Sequence, residues 1–414
     1  MDGALRILKN FNYRTLTLML IIIQSCGIRF FDGQGSFLAI IILALLIPKT
    51  FYKLKGKDFL ILLSIFSFLL IGKFFNSQIQ VSMLTYQLLL IFESYLFLKL
   101  YKKGNEMMDD LYKCLSIIFI HAAAGFILYT LAPNLFYPAG LGMPYKTLAF
   151  IFFVTQQTGF SARSTGILWE PGLLQLMLNL LLFYAIKNRK SRLLMISIVA
   201  LILTTFSTAG FIILALNFTF FFIETVKEKN ATRILFLLML ITLMASTVVV
   251  VQNNIEDKFN GQNTSGLIRY RDFVIGVKLI KENPILGHGL FDSSYLTSKS
   301  YVNFIETQIL STTYLDQSGF MTGGFTNGLL GVFAWYGIPM GLLIFYLFYK
   351  NNFVNNNTLE RIIFFLILCL TFISEPITYT AFFLLFPLSS LLLNNEKQLH
   401  SKLKQRNFNE SFTI

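Results

Sequence analysis

Runs of about 18 or more apolar residues recur from one end of this chain to the other, each long enough to cross the hydrocarbon core of a bilayer. In lipid every backbone N–H and C=O must find a partner inside the protein, which leaves helices and closed barrels as the spanning structures. A barrel would read as short alternating segments, and none are seen. The chain is therefore expected to be an all-α polytopic membrane protein, with residues 1–414 forming one integral membrane domain. Composition agrees: 55% of the chain is hydrophobic and 13% charged, against roughly 25% charged in a soluble domain, and the mean hydropathy is +0.64.

The hydropathy rule gives about twelve crossings. They lie near 15–31, 36–52, 59–75, 80–100, 111–132, 171–186, 193–206, 210–226, 234–251, 326–349, 362–374 and 378–393. The net charge of +13 could suggest a nucleic-acid partner. Its distribution excludes that reading, because most of the Lys and Arg residues sit in short turns between alternate crossings. This is the positive-inside pattern, and it puts both termini in the cytoplasm. Of the remaining basic residues, all but Arg29 and Lys73 lie in two long loops, 133–170 and 252–325, which are then external. The pair 193–206 and 210–226 could instead be one long helix. Two short crossings with a turn at Ser207-Thr208-Ala209-Gly210 keep the charge pattern consistent. Cys26, Cys114 and Cys369 fall in apolar segments and are expected to be free thiols. Arg6, Lys9 and Arg14 precede an apolar run without an evident cleavage site, so a retained first helix is expected.

The polar words sit in the two external loops. In the first, Arg163-Ser164-Thr165-Gly166-Ile167-Leu168-Trp169-Glu170-Pro171-Gly172 places Pro171 where a helix begins, since its missing N–H costs nothing there. Glu170 then either caps that helix or accepts a proton at the membrane surface, with Arg163 holding a phosphate. In the second loop, 267–281 has the apolar spacing of an amphipathic helix. Arg269 and Arg271 are two apart on it and cannot share a face. One of them is expected to pair with a carboxylate such as Asp272 while the other faces a cavity. Pro284 should end the helix. His288, between Gly287 and Gly289, is either a turn residue or a site imidazole. His121 lies inside a crossing and reads as a helix–helix hydrogen-bond partner. Glu93 lies within a crossing too. Glu375, before Pro376 at the outer end of the last hairpin, is either a helix cap or a further proton acceptor. No His/Asp/Glu cluster has metal-ligand spacing, and no phosphate-binding loop or dinucleotide fingerprint is present. Neither a metal nor any other cofactor is expected.

Taken together these residues resemble the O-antigen polymerase and ligase superfamily of bacterial envelopes, often called Wzy-type. The topology of about a dozen crossings with two large external loops bearing arginines is similar. So is 282–289, an acidic residue shortly before Pro, two apolar residues, then Gly-x-Gly. Thr205-Phe206-Ser207-Thr208-Ala209-Gly210 looks like the family's Ser-containing hairpin, and Glu-Pro-Gly at 170–172 is similar to many polysaccharide polymerases. One departure stands out. The ligase branch carries His, a small amide or hydroxyl residue, nine residues, then Gly; here Thr326-Asn327 precede Gly337 at that spacing, with Thr326 in the histidine's place. That favours a polymerase over a ligase.

The resemblance implies a membrane glycosyltransferase of the bacterial inner membrane with its site facing the periplasm. It would join oligosaccharide repeat units carried on undecaprenyl pyrophosphate, with a chain-length regulator as partner. Arg163, Arg269 and Arg271 would neutralise the departing diphosphate, and Glu170, His288 or Glu375 would take the acceptor's proton. Asn327, Asp272 and Glu375 would contact substrate. The rival readings are a ligase moving glycan to another acceptor, and a flippase or secondary transporter. A transporter would show two pseudo-symmetric halves and even loops.

Overall fold

The computed structural model describes residues 12–27, 35–75, 81–140, 145–155, 162–226, 264–289, 327–354, 357–375 and 377–393. Its helices are α1 (Tyr13–Cys26), α2 (Gly35–Thr50), α3 (Gly56–Phe75), α4 (Val81–Leu98), α5 (Gly104–Leu131), α6 (Pro171–Lys187), α7 (Arg192–Leu203), α8 (Thr208–Val226), α9 (Thr264–Glu282), α10 (Gly328–Tyr349), α11 (Thr358–Ser374) and α12 (Ala381–Leu392). Five of the described helices are long and apolar enough to cross a membrane: α2 with the turn after it, α3, α4, α5 and α10. Several shorter apolar helices accompany them. The architecture is that of a polytopic helical membrane protein. The expected crossing at 234–251 lies outside the described residues, as do Thr326, Pro376 and most of the second long loop. The ambiguous stretch resolves as two helices, α7 and α8, with Thr204–Ser207 between them.

The core is built around α6. Every residue from Pro171 to Ile186 is buried, as expected of a helix that is apolar all round. It packs against α5, α7, α8 and α11. Polar side chains fasten it: Asn179 Nδ2 donates to Gln175 Oε1 (3.0 Å) and to Gly210 O (3.4 Å), and Asn217 Nδ2 donates to Asn179 Oδ1 (3.0 Å). Such amides join helices where water cannot compete. At the opposite extreme, α3 is largely exposed and meets the rest through α4.

One end of the bundle carries a belt of ion pairs. Arg14 meets Glu106 (2.8 Å) and Asp110 (3.4 Å), Lys113 meets Asp110 (2.7 Å), Lys99 meets Asp58 (2.7 Å), and Lys187 meets Glu360 (3.4 Å). The three cysteines are free, as expected.

The first long loop contains a small antiparallel sheet that hydropathy does not announce: β1 (Tyr137–Pro138), β2 (Tyr145–Leu148), β3 (Phe152–Thr155) and β4 (Arg163–Ser164), in the order β1-β2-β3-β4. Residues 152–155 are rich in aromatic and β-branched side chains, the composition of a strand.

The helix α10 is broken at Gly337, whose φ of 76° and ψ of 170° are not helical, and Pro339 follows two residues on. Proline removes one helical donor, leaving the carbonyl of Trp335 without its partner. The turn after α9 repairs the break. Gly289 N–H donates to Trp335 O (2.8 Å) and His288 N–H to Ala334 O (2.8 Å), while Ile338 N–H donates to Pro284 O (2.7 Å). Backbone meets backbone there because two glycines face each other. A Cβ on Gly287 would lie 2.5 Å from Gly337 N, and one on Gly337 would lie 2.1 Å from Ile285 O. Both glycines also have positive φ. Gly287→Ala and Gly337→Ala are each expected to cost at least ~2 kcal/mol, from the left-handed backbone and from overpacking. Thermal unfolding in detergent should show a clear drop in Tm for both, and none for Gly72→Ala, where nothing lies within 4 Å of the added carbon.

Candidate active site

Two carboxylates and two arginines converge at the end of the bundle opposite the ion-pair belt. Glu170 stands at the N-cap of α6 with extended backbone, and Pro171 takes the first helical position as expected. Its backbone carbonyl starts the helix, but its side chain makes no capping hydrogen bond. The carboxylate is thus left for other work. Glu375 closes α11 from the C-cap position. The next helix, α12, begins at Ala381 behind the cap Thr380. A carboxylate at a helix C-terminus faces the negative end of the macrodipole. Glu375 is buried, and its Oε2 has no hydrogen-bond partner.

The space for Glu375 comes from Gly172. A Cβ there would lie 1.8 Å from Glu375 Oε1. The Glu-Pro-Gly phrase therefore has three separate tasks: Glu supplies a carboxylate, Pro starts the helix, and Gly admits the second carboxylate beside the first. The two carboxyls approach closely enough to share a proton. Burial raises the pKa of both above the ordinary glutamate range, Glu375 the more strongly. The charge of Glu170 adds to the rise at Glu375, while Arg163 and Arg269 oppose it at both. Like charges this close disfavour ionisation of both carboxyls.

The arginines arrive from different elements. Arg163 begins β4, and its Nε donates to Thr205 O (2.8 Å) in the turn between α7 and α8. The same turn holds the strand's backbone, since Ser164 N–H donates to Thr204 O (3.2 Å). Burial lowers the pKa of Arg163, and Glu170 and Glu375 raise it back. Arg269 comes from the first half of α9 and donates from Nη2 to Ser374 O (3.4 Å), the residue before Glu375. Its side chain is exposed. Behind Glu170, Tyr145 donates its hydroxyl to the carbonyl of Trp169.

The other candidates lie elsewhere. Arg271 is buried on the opposite face of α9, where Nε (3.0 Å) and Nη2 (2.7 Å) both donate to Asp272 Oδ1. Arg271 is thus the arginine that pairs with Asp272, and Arg269 lies on the other face of the helix. His288 sits in the turn that repairs α10. Its Nε2 lies 3.1 Å from Leu279 O, and Asn283 Nδ2 lies 3.3 Å from its Nδ1. Burial lowers its pKa, so the neutral ring donates to the last turn of α9 and fastens that helix to the turn. Asn327 caps α10, its Oδ1 accepting from Leu330 N–H at 3.1 Å. His121 meets the β2–β3 turn rather than a helix, bonding Ile151 O at 2.9 Å. No group of three or more His, Cys, Asp or Glu side chains able to hold a metal is found among the described residues.

These features define a multi-pass helical membrane protein. A family model described as O-antigen ligase matches residues 192–345, which places that stretch in the O-antigen ligase and polymerase superfamily. The matched stretch includes the turn that holds Arg163, the helix bearing Arg269, and the joint between Gly287 and Gly337. No curated protein and no solved structure matches the chain.

The raised carboxyls give a pH signature. A folded state that holds a proton the unfolded chain releases loses stability as pH rises above the ordinary glutamate pKa, until the raised pKa is passed. Glu375→Gln is therefore expected to melt higher than the parent at neutral pH, and the difference should vanish toward pH 4. Melting curves in detergent from pH 4 to 9 measure both.

Proposed function

We propose that this protein polymerises oligosaccharide repeat units carried on undecaprenyl pyrophosphate, at the external face of the bacterial inner membrane. The carrying observation is the convergence of Arg163 and Arg269 on the Glu170–Glu375 pair. Two guanidinium charges stand against two carboxyls whose ionisation burial opposes. That suits a diphosphate, and arginine keeps its charge and offers the two-pronged geometry such groups favour. In the reaction, the acceptor sugar's hydroxyl oxygen attacks the anomeric carbon of the donor chain. The bond from that carbon to the diphosphate oxygen breaks, and undecaprenyl diphosphate leaves with the electron pair between the arginines. The hydroxyl proton passes to the ionised member of the carboxyl pair. The glycosyl phosphate bond is already activated, so the step needs no nucleotide or metal. The proposal includes the cytoplasmic placement of both termini and about twelve crossings, supported by the distribution of Lys and Arg.

Within the superfamily, the sequence at 326 favours polymerisation, because Thr326 stands where ligases carry histidine. The test is glycan analysis in a deletion strain complemented by variants. Arg163→Ala and Arg269→Ala should stay in the membrane yet yield single-repeat glycan, with activity reduced roughly 10²–10³-fold per arginine. Arg271→Ala, which removes the buried Arg271–Asp272 pairing, should instead lower the amount of folded protein. Ladders of normal length from the Arg163 and Arg269 variants would overturn the site. Long chains accumulating on the carrier lipid in the deletion strain would make the protein a ligase, and repeat units trapped inside would make it a flippase.

A further inference from the structure

The helices provide a ruler for depth. The ion-pair belt marks one membrane boundary, at Arg14 on α1, Asp110 on α5 and Lys187 on α6. From Asp110, α5 runs about 32 Å to its end at Leu131, which matches a hydrocarbon core of about 30 Å. Its face stays apolar and exposed to the end, at Ile120, Ile127, Leu128 and Leu131. The hydroxyl of exposed Thr130 turns back to Phe126 O (2.8 Å), as it must in lipid. The far boundary therefore lies near Leu131.

The sheet does not sit beyond that boundary. The tip of the β2–β3 hairpin is bonded to α5 about 15 Å short of Leu131, where His121 reaches Ile151 O (2.9 Å) and stacks on Phe152. Phe152 also lies against Gly125. Despite this depth, Phe150 is 52% exposed and Ile151 56%. The turn that presents them has Ala149 and Phe150 both at φ 55°. In water the left-handed positions of such a three-residue hairpin loop favour Gly or Asn. A left-handed phenylalanine there costs roughly 1–2 kcal/mol and gains nothing if it points into water. Tyr137 packs its ring edge-on against Phe150, extending the same apolar surface. The carboxylate pair lies nearer the far boundary, since α6 runs about 24 Å from Lys187 to Pro171, beside Glu170.

We propose that the β2–β3 hairpin is a re-entrant element seated in the leaflet opposite the ion-pair belt, with Phe150 and Ile151 in contact with acyl chains. Non-helical backbone survives at such depth only where protein covers it, and here α5 covers one side, with His121 binding the Ile151 carbonyl beside the tip. The apolar tip then needs no other partner. The inference rests on the helix ruler and on the exposed tip, and not on the reaction proposed above.

Nitroxide labels on Phe150→Cys and Ile151→Cys, in the full chain reconstituted in phosphatidylcholine vesicles, test it. Collision with dissolved oxygen is compared with collision with a water-soluble nickel chelate. Ile127→Cys gives the lipid-facing reference and Lys53→Cys, exposed beyond α2, the aqueous one. The parent chain, with its three native cysteines, supplies the background. The expected result is an oxygen-to-nickel ratio at both tip positions shifted from the Lys53 value to the Ile127 value. Nickel access equal to that at Lys53 would overturn the proposal in favour of a water-exposed loop. Exclusion of both reagents would overturn it in favour of a protein partner or a second copy on the tip. Should either cysteine variant fail to fold, Phe150→Trp with brominated-chain lipids reads the same contact. Strong quenching beyond that of Trp169 and Trp335 is expected, and its absence overturns the proposal.

Discussion

The rule that no backbone group may be left unpaired in lipid shapes this protein more than any single side chain. Its clearest expression is the repair of α10. Gly337 and Pro339 break the helix and strand Ala334 O, Trp335 O and Ile338 N–H, and the turn from Pro284 to Gly289 satisfies all three. The repair ties α9 to α10 by main chain alone, with His288 adding a side-chain bond to the end of α9. Arg269, on that helix, depends on it for its position near Glu375. Two sequence words more than forty residues apart thus form one joint.

The site built on this frame runs against local electrostatic preference. Glu375 ends a helix where a cation would be favoured, is buried, and faces a second carboxylate across the hydrogen of Gly172. Each of these choices costs stability. The cost is offset only in part by Arg163 and Arg269, which must also remain open to an incoming anion. A buried acid pair between two arginines has little value as a structural fastener, since an apolar pair would serve better there. Its arrangement makes sense as a poised receiver of charge and proton.

Much of this was legible in the chain. The apolar runs placed nearly every described helix, and the two-apart spacing of Arg269 and Arg271 required that they diverge. The Glu-Pro-Gly phrase marked a helix start and a carboxylate. What the sequence withheld was proximity. Glu375 lies some two hundred residues from Glu170, and no local pattern pairs them. His288, singled out between two glycines, fastens a helix end, and Asn327 caps one, roles that no local pattern specifies. The sheet was hidden for a different reason. Its strands are short, and apolar residues such as Phe152 and Phe153 add to hydropathy in the same way whether they lie in a strand or a helix.

The amide ladder of α6 has a consequence for biogenesis. Asn179 finds Gly210 O and Asn217 only once α8 is in place, and the helix is sheathed further by α11, synthesised much later. Until then a helix whose two amides have only each other and their own turn must wait in the bilayer among partners not yet made. Assembly of this protein is therefore a matter of delayed partners. A pause or truncation between α8 and α11 would leave an intermediate with an open seam, the state that membrane quality control recognises.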